Sequence, residues 1–353
     1  MNERVEHVWW ARWAWLGAGL FALVYGALGW YWGKGGAGFP FGEGDVPDAR
    51  AESWFGTATA QGLGPVIAMV GLAGLLLAGV LGLAGRRPAI GRWAGVCGWV
   101  IAFALLAVVP DARIMTAVGY APIFLLGAPF GWPDANYFEL AFPWPVVNML
   151  ICLAGGFLWA AASLAAWRHG GGACQSCGRE PGRRGGTLDT VGRWAAWVAV
   201  VVPLFYAVVR WAWALGIPLL MSAEKVAELH ATGLVWAGAG LATFAAAGSL
   251  LTLGLVRPWG LIWPRWVPGL AGRPVPRRFP LTFAGLVTVV LSSAGMTAVR
   301  VTDWTDPAAW LVSPMAYWPL WAAALGAATL GYAVRTRPAC ARCGQGKLVI
   351  GAS

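Results

Sequence analysis

Two cysteine pairs of identical form, Cys174-Gln-Ser-Cys177-Gly178 and Cys340-Ala-Arg-Cys343-Gly344, carry the most definite chemistry in this chain. A Cys-x-x-Cys turn followed by glycine points two thiolates at one ion and leaves backbone N–H groups to support the sulfurs. Each pair therefore reads as half of a tetrahedral zinc site. Between Cys177 and Cys340 lie 162 residues, far more than a compact zinc ribbon uses, so the fold must bring the halves together. Three readings are open: a shared structural zinc site of Cys174, Cys177, Cys340 and Cys343, two separate redox pairs, or unliganded or intermolecular thiols. The sequence favours the first. Arg179, Arg183, Arg184 and Arg342 stand close enough in sequence to offset the double negative charge of a four-thiolate zinc centre. Cys97 and Cys152 lie inside apolar runs and read as small packing residues.

Other reactive side chains are sparse. Three histidines, His7, His169 and His230, leave little scope for histidine-based metal catalysis. Near the ends of the apolar runs, Asp111, Arg113, Arg210, Glu228, His230, Arg300 and Asp303 form a candidate outer polar pocket, with Glu139 and Glu224 close by in sequence. Snorkelling of ionisable groups from helix ends accounts for the same residues without a pocket. The chain has no Walker loop, Gly-x-Ser-x-Gly, His-Glu-x-x-His or acidic transferase motif, which weighs against an enzyme.

The elements that must position these groups are membrane helices. With 59% hydrophobic and 11% charged residues, a soluble fold would have almost no solvated surface. Twenty-five Trp and fifty Gly fit the same class, since Trp favours the membrane interface and small residues let helices approach closely. Apolar runs predict eight spans near 13–32, 58–84, 93–110, 141–167, 194–216, 230–256, 281–299 and 316–334. The first is expected to be a mature anchor, not a cleaved signal. Ile114 to Leu126 is apolar but too short to span and is expected to be interfacial or re-entrant.

Of the 25 Lys and Arg, 19 fall on the N-terminus, the second, fourth and sixth connections and the C-terminal tail. The positive-inside rule then puts both termini in the cytoplasm of a multi-pass plasma-membrane protein, where a structural disulfide would be unexpected. The net charge of +10 is thus a topology signal, with lipids and not nucleic acid as the implied partner, and a membrane-protein partner also open. The connection from Arg257 to Arg278, with Trp259, Trp263 and Trp266 among Pro and Arg, is expected to lie on lipid headgroups.

An internal repeat is visible. Arg12, Trp13, Tyr25, Trp30 and Trp32 recur as Arg193, Trp194, Tyr206, Trp211 and Trp213, offset by 181, and the cysteine motifs recur at an offset of 166. The expected domains are a four-helix repeat over 1–178, a cytoplasmic linker over 179–192 and a second four-helix repeat over 193–353. An even number of spans makes the copies parallel, related by a pseudo-twofold axis along the membrane normal. The stripes Gly74/Ala78/Gly82 and Gly238/Ala242/Ala246 are candidates for the central helix contact.

Tyr25 to Trp32, the Trp- and Pro-rich loop from Arg257 to Pro268 and the Cys-x-x-Cys-Gly tails resemble uncharacterised multi-pass membrane proteins of high-GC Gram-positive bacteria. The resemblance carries no activity with it. Three roles stay open: binding or transport of a small molecule or lipid between the repeats, a structural or assembly subunit of a membrane complex, or a membrane thiol oxidoreductase. The charge split generates a first prediction. A tag at Ser353 and a cysteine introduced in 33–57 should label from opposite faces of intact cells; labelling of both from outside would exclude this topology.

Overall fold

The structure is a computed structural model that describes residues 9–83, 88–131, 136–180, 186–306, 310 and 313–346. It is an all-α polytopic membrane protein; among the described residues the extended pairing is confined to one isolated bridge, Ile262 with Pro274. Helices suit these sequences because a bilayer core offers no water, so each backbone N–H and C=O must be paired within its own segment.

Eleven α-helices are described: α1 Trp9–Gly33, α2 Ala60–Leu83, α3 Pro88–Phe103, α4 Arg113–Gly127, α5 Tyr137–Ala141, α6 Trp144–Gly170, α7 Gly186–Ala214, α8 Ala223–Ala231, α9 Leu234–Leu253, α10 Arg278–Val301 and α11 Trp318–Arg335. A π-helical turn, Ala104–Val108, extends α3. Among the described residues seven helices are long and apolar enough to cross a membrane: α1, α2, α3 with its extension, α6, α7, α9 and α10. The eighth expected span, 316–334, is a helix, but α11 has only 18 residues and includes Pro319, Tyr332 and Arg335, so it falls outside that group. The expected span from 230 is shortened because Gly233, at φ 72°, separates α8 from α9. The apolar stretch after Ile114 is α4, whose 15 residues reach about 22 Å, short of a bilayer core.

The chain divides into two compact units, one of Met1–Arg184 with Arg337–Ser353, the other of Gly185–Thr336. The C-terminal tail from Arg337 thus groups with the first unit. In the first unit α1 packs on α2 and α6, and α6 packs on α3. In the second, α7 packs on α9 and α11, and α11 packs on α10. The packing orders are thus α2, α1, α6, α3 in the first unit and α9, α7, α11, α10 in the second.

Small residues set how closely these helices lie. Gly26 of α1 faces Gly71 of α2 so tightly that a Cβ added at Gly71 would stand 2.4 Å from the Gly26 Cα. The expected stripe on α2 is used inside its own unit: Gly74 meets Ala22, Ala78 lies against Gly19 and Gly82 meets Trp15, all on α1. Gly238 of α9 likewise faces Arg210 of α7. The first unit's core is alanine-rich, with Ala18, Ala22, Ala78, Ala102 and Ala162 around the fully buried Trp159. Between its helices, Tyr25 Oη donates to Asn148 Oδ1 at 2.8 Å, and the buried Cys152 Sγ lies 3.3 Å from Tyr25 Oη. Cys152 thus packs where expected and also joins this polar tie.

Gly71→Ala should lower stability in detergent by ~1–3 kcal/mol through overpacking, whereas Gly79→Ala, which points into open space, should be near neutral. Thermal unfolding of the two variants checks this; equal melting temperatures would show that the α1–α2 contact is not close-packed.

Candidate metal centre

Each cysteine pair is held in a tight turn built the same way twice. In the first, the Cys174 N–H donates to the Arg179 carbonyl at 2.9 Å and the Gly178 N–H to the Cys174 carbonyl at 2.7 Å. In the second, the Cys340 N–H donates to Gln345 at 3.0 Å and the Gly344 N–H to Cys340 at 2.9 Å. Gly178 and Gly344 have φ of 70° and 66°, the left-handed region that glycine enters without Cβ strain, which is why the motif ends in glycine.

The two turns meet. Cys174 Sγ lies 3.9 Å from Cys340 Sγ and Cys177 Sγ 3.6 Å from Cys343 Sγ, and all four sulfurs fall within 4.8 Å of one another. Sulfurs bound at ~2.3 Å to one tetrahedral ion stand ~3.8 Å apart, so the spacing fits a four-sulfur cage. These two contacts join equivalent cysteines of the two motifs. All six cysteines of the chain are free thiols.

Electrostatics around the cluster favour thiolate. Backbone N–H groups of Cys343 and Arg342 pull the Cys340 thiol down to about 6. Burial opposes ionisation of Cys174, but N–H groups of Cys177 and Ser176 outweigh it and lower that thiol too. Cys343 is pushed the other way, up to about 11: the Gln345 N–H favours its thiolate, but burial and the three facing sulfurs prevail. Four anions cannot share this volume without a cation among them.

Arginines tie the turns together. Arg179 Nη1 donates to the carbonyls of Pro338 at 2.9 Å and Gln345 at 3.0 Å, and its Nη2 to Arg337 at 2.9 Å. In return Arg337 Nη1 donates to Gly178 at 3.3 Å, and Arg168 Nη1 donates to Gln175 at 3.0 Å. Arg168 and Arg337 were not anticipated; each lies just outside a motif, where a basic residue also reads as a topology signal. Arg342 sits within the second turn, while Arg183 and Arg184 lie outside the described residues, as do His7 and the stretch Trp132-Pro133.

At the opposite end of this unit, Asp111 and Arg113 meet Asp45, which the sequence did not single out. Arg113 Nη1 and Nη2 each donate to an Asp45 oxygen at 2.8 Å, and Nη2 also reaches Asp111 Oδ2 at 2.6 Å. Both carboxylates are 2% exposed. Burial disfavours the Arg113 cation, yet the bonds to Asp45 and Asp111 prevail and hold its pKa above the ordinary arginine value. Glu52 nearby is raised, by burial first and then by the Asp111 charge. This is a closed ion triad that fixes the 34–59 connection, and its charges face one another. Beside it, Gly36, Phe39, Glu43, Gln61 and Trp144 line an open hollow of about 390 Å³.

In the second unit, Arg210 and His230 converge on Trp213. The Arg210 guanidinium lies 4.8 Å from the Trp213 ring centroid, and His230 Nε2 donates to the Trp213 carbonyl at 2.8 Å, which fixes its tautomer. Glu228 pairs instead with Lys225 at 2.7 Å, Asp303 accepts from Thr305, and Arg300 occupies the last turn of α10. Comparison of the chain with protein-family profiles, with curated proteins and with solved structures finds no match.

Arg113→Met should destabilise the protein by ~3–5 kcal/mol, because it leaves two buried carboxylates unpaired. Asp111→Asn should cost less, since Arg113 keeps Asp45. Thermal unfolding in detergent gives the order; a reversed order would show that the triad is not the support of this end.

Proposed function

We propose that this is a multi-pass plasma-membrane protein in which one structural zinc ion, held by Cys174, Cys177, Cys340 and Cys343 on the cytoplasmic side, clamps the C-terminal tail to the first helical unit. The carrying observation is the approach of four free sulfurs within 4.8 Å of one another. A four-sulfur tetrahedral cage suits Zn²⁺, which stabilises thiolates without redox chemistry. A thiol oxidoreductase fits less well, because all four sulfurs gather in one cluster, with contacts of 3.6 and 3.9 Å linking the two motifs, whereas a redox Cys-x-x-Cys pair acts by itself.

The shared cluster also supports eight crossings. One pair of cysteines follows α6 and the other follows α11, so both helices end on the same face. Between those ends run α7, α9, α10 and α11, and an even number of crossings is needed to return. Hence α11 crosses despite its weak hydropathy; its 18 residues reach about 27 Å, and the preceding 3₁₀ turn Pro314–Tyr317 adds length. The charge split places the shared face in the cytoplasm. The common lateral order of helices and the identical hydrogen bonding of the turns support an internal duplication. A binding or transport role for a small molecule or lipid is the second reading, favoured by the unpaired cation at Arg210.

Metal analysis with thiol titration on the detergent-purified chain tests the clamp. The expected result is one zinc per chain and four thiols released by chelator. Cys174→Ser should lose the zinc and melt lower, while Cys97→Ser should keep it. A metal-free protein whose Cys-x-x-Cys pairs oxidise readily to disulfides would replace the clamp with redox chemistry.

A further inference from the structure

We propose that Arg210 is the cation of an anion-binding site at the C-terminal end of α7, and that the anion is a phosphate group at the membrane–water boundary. The proposal deepens the binding reading and rests on it, but it does not depend on the metal.

The guanidinium is held on three sides. Its Cζ lies 5.3 Å from the Tyr206 ring centroid and 4.8 Å from that of Trp213, one helical turn before and after it. On α9, Gly238 leaves room for it: a Cβ there would stand 3.4 Å from Arg210 Nη1. Despite this fixed setting, none of its five donors has a hydrogen-bond acceptor or acid among the described residues, and Nε is buried without a partner. Glu228 of α8 is paired with Lys225 at 2.7 Å. A cation so placed keeps its charge, since arginine does not deprotonate in proteins, and aromatic faces compensate it only in part.

Depth selects the ligand. Arg210 lies one turn, about 6 Å, inside the end of α7 at Ala214, near the level of headgroup phosphates and away from the acyl core. With Nε enclosed, the two Nη groups are the edge left for a ligand, and a planar fork of N–H donors matches two oxygens of a phosphate.

The sequence repeat sharpens the point. Tyr206 and Trp213 correspond at offset 181 to Tyr25 and Trp32, which places Arg210 opposite Gly29. Gly29 is a packing residue whose added Cβ would come within 2.7 Å of Ile67 on α2. The helical frame therefore forms without a cation here. Arginine at this place adds a function that the first unit lacks.

A lipid headgroup and a soluble phosphate are both possible sources, and titration of the purified full-length protein separates them. Thermal unfolding and native mass spectrometry would be followed against phosphatidylglycerol in neutral detergent and, separately, inorganic phosphate. Wild type should be stabilised and retain phosphatidylglycerol, with Arg210→Gln needing about tenfold more lipid for the same shift. Arg210→Lys, which keeps charge but loses the fork, should fall nearer to Arg210→Gln. An Arg210-dependent shift with inorganic phosphate alone would assign the site to a soluble phosphate. Retained zinc in the variants reports the first unit's integrity separately; should Arg210→Gln not fold, Arg210→Lys carries the comparison. Equal responses of wild type and variants to both probes would overturn the proposal.

Discussion

Four sulfurs within 4.8 Å of one another pose a charge problem that dominates the end of the first unit where the C-terminal tail docks. Backbone N–H groups draw Cys340 and Cys174 toward thiolate, while the same crowding drives Cys343 toward the neutral thiol. A divalent cation bound there would remove the conflict by holding all four as thiolates, and the surrounding arginines would offset the remaining charge. The carbonyls that Arg179 and Arg337 bind are those of the opposite turn, so the organic part of the clamp already joins the same two segments that the ion would.

Away from the sulfurs, close approach replaces the hydrophobic effect as the cohesive force. Lipid is as apolar as leucine, so helices gain from meeting each other only through packing and polar ties. Gly26 against Gly71 supplies the first, with backbones nearly touching. The second comes from Tyr25, Asn148 and Cys152, which satisfy one another between α1 and α6 where no water is at hand. Large apolar side chains face outward instead: Trp93 and Leu76 are 74% and 66% exposed, a pattern that suits lipid and would be ruinous in water.

What could be read from the sequence depended on how local the physics was. The cysteine turns were legible because Cys-x-x-Cys-Gly encodes its own geometry, down to the positive φ of Gly178 and Gly344. Seven spans were legible as apolar runs, with boundaries a few residues off. The run 316–334 was legible as a helix, but Pro319, Tyr332 and Arg335 dilute the apolar content of α11, and its packing between α7 and α10 is a tertiary property that the run does not encode. The small-residue stripe on α2 was visible, but not its partner, because spacing along one helix says nothing about which neighbour it meets. Asp45 was missed for a similar reason: 66 residues of chain separate it from Asp111, and only folding of the 34–59 connection gives it Arg113.

Comparison of the two units shows how one frame can carry different work. Both keep a tyrosine and a buried tryptophan one turn either side of a central position on their first span, and both pack that span between their second and fourth. In the first unit the central residue is Gly29, and α2 closes down on it; the neighbouring connection is then fixed by the Arg113 triad. In the second unit the position is Arg210, whose guanidinium occupies the space beside Gly238 and meets no acid among the described residues. Closing that seam as tightly as the first would require removing the cation. At this level the second unit thus has a charge where the first has close packing, and an interaction outside the described residues is the natural complement of such a charge.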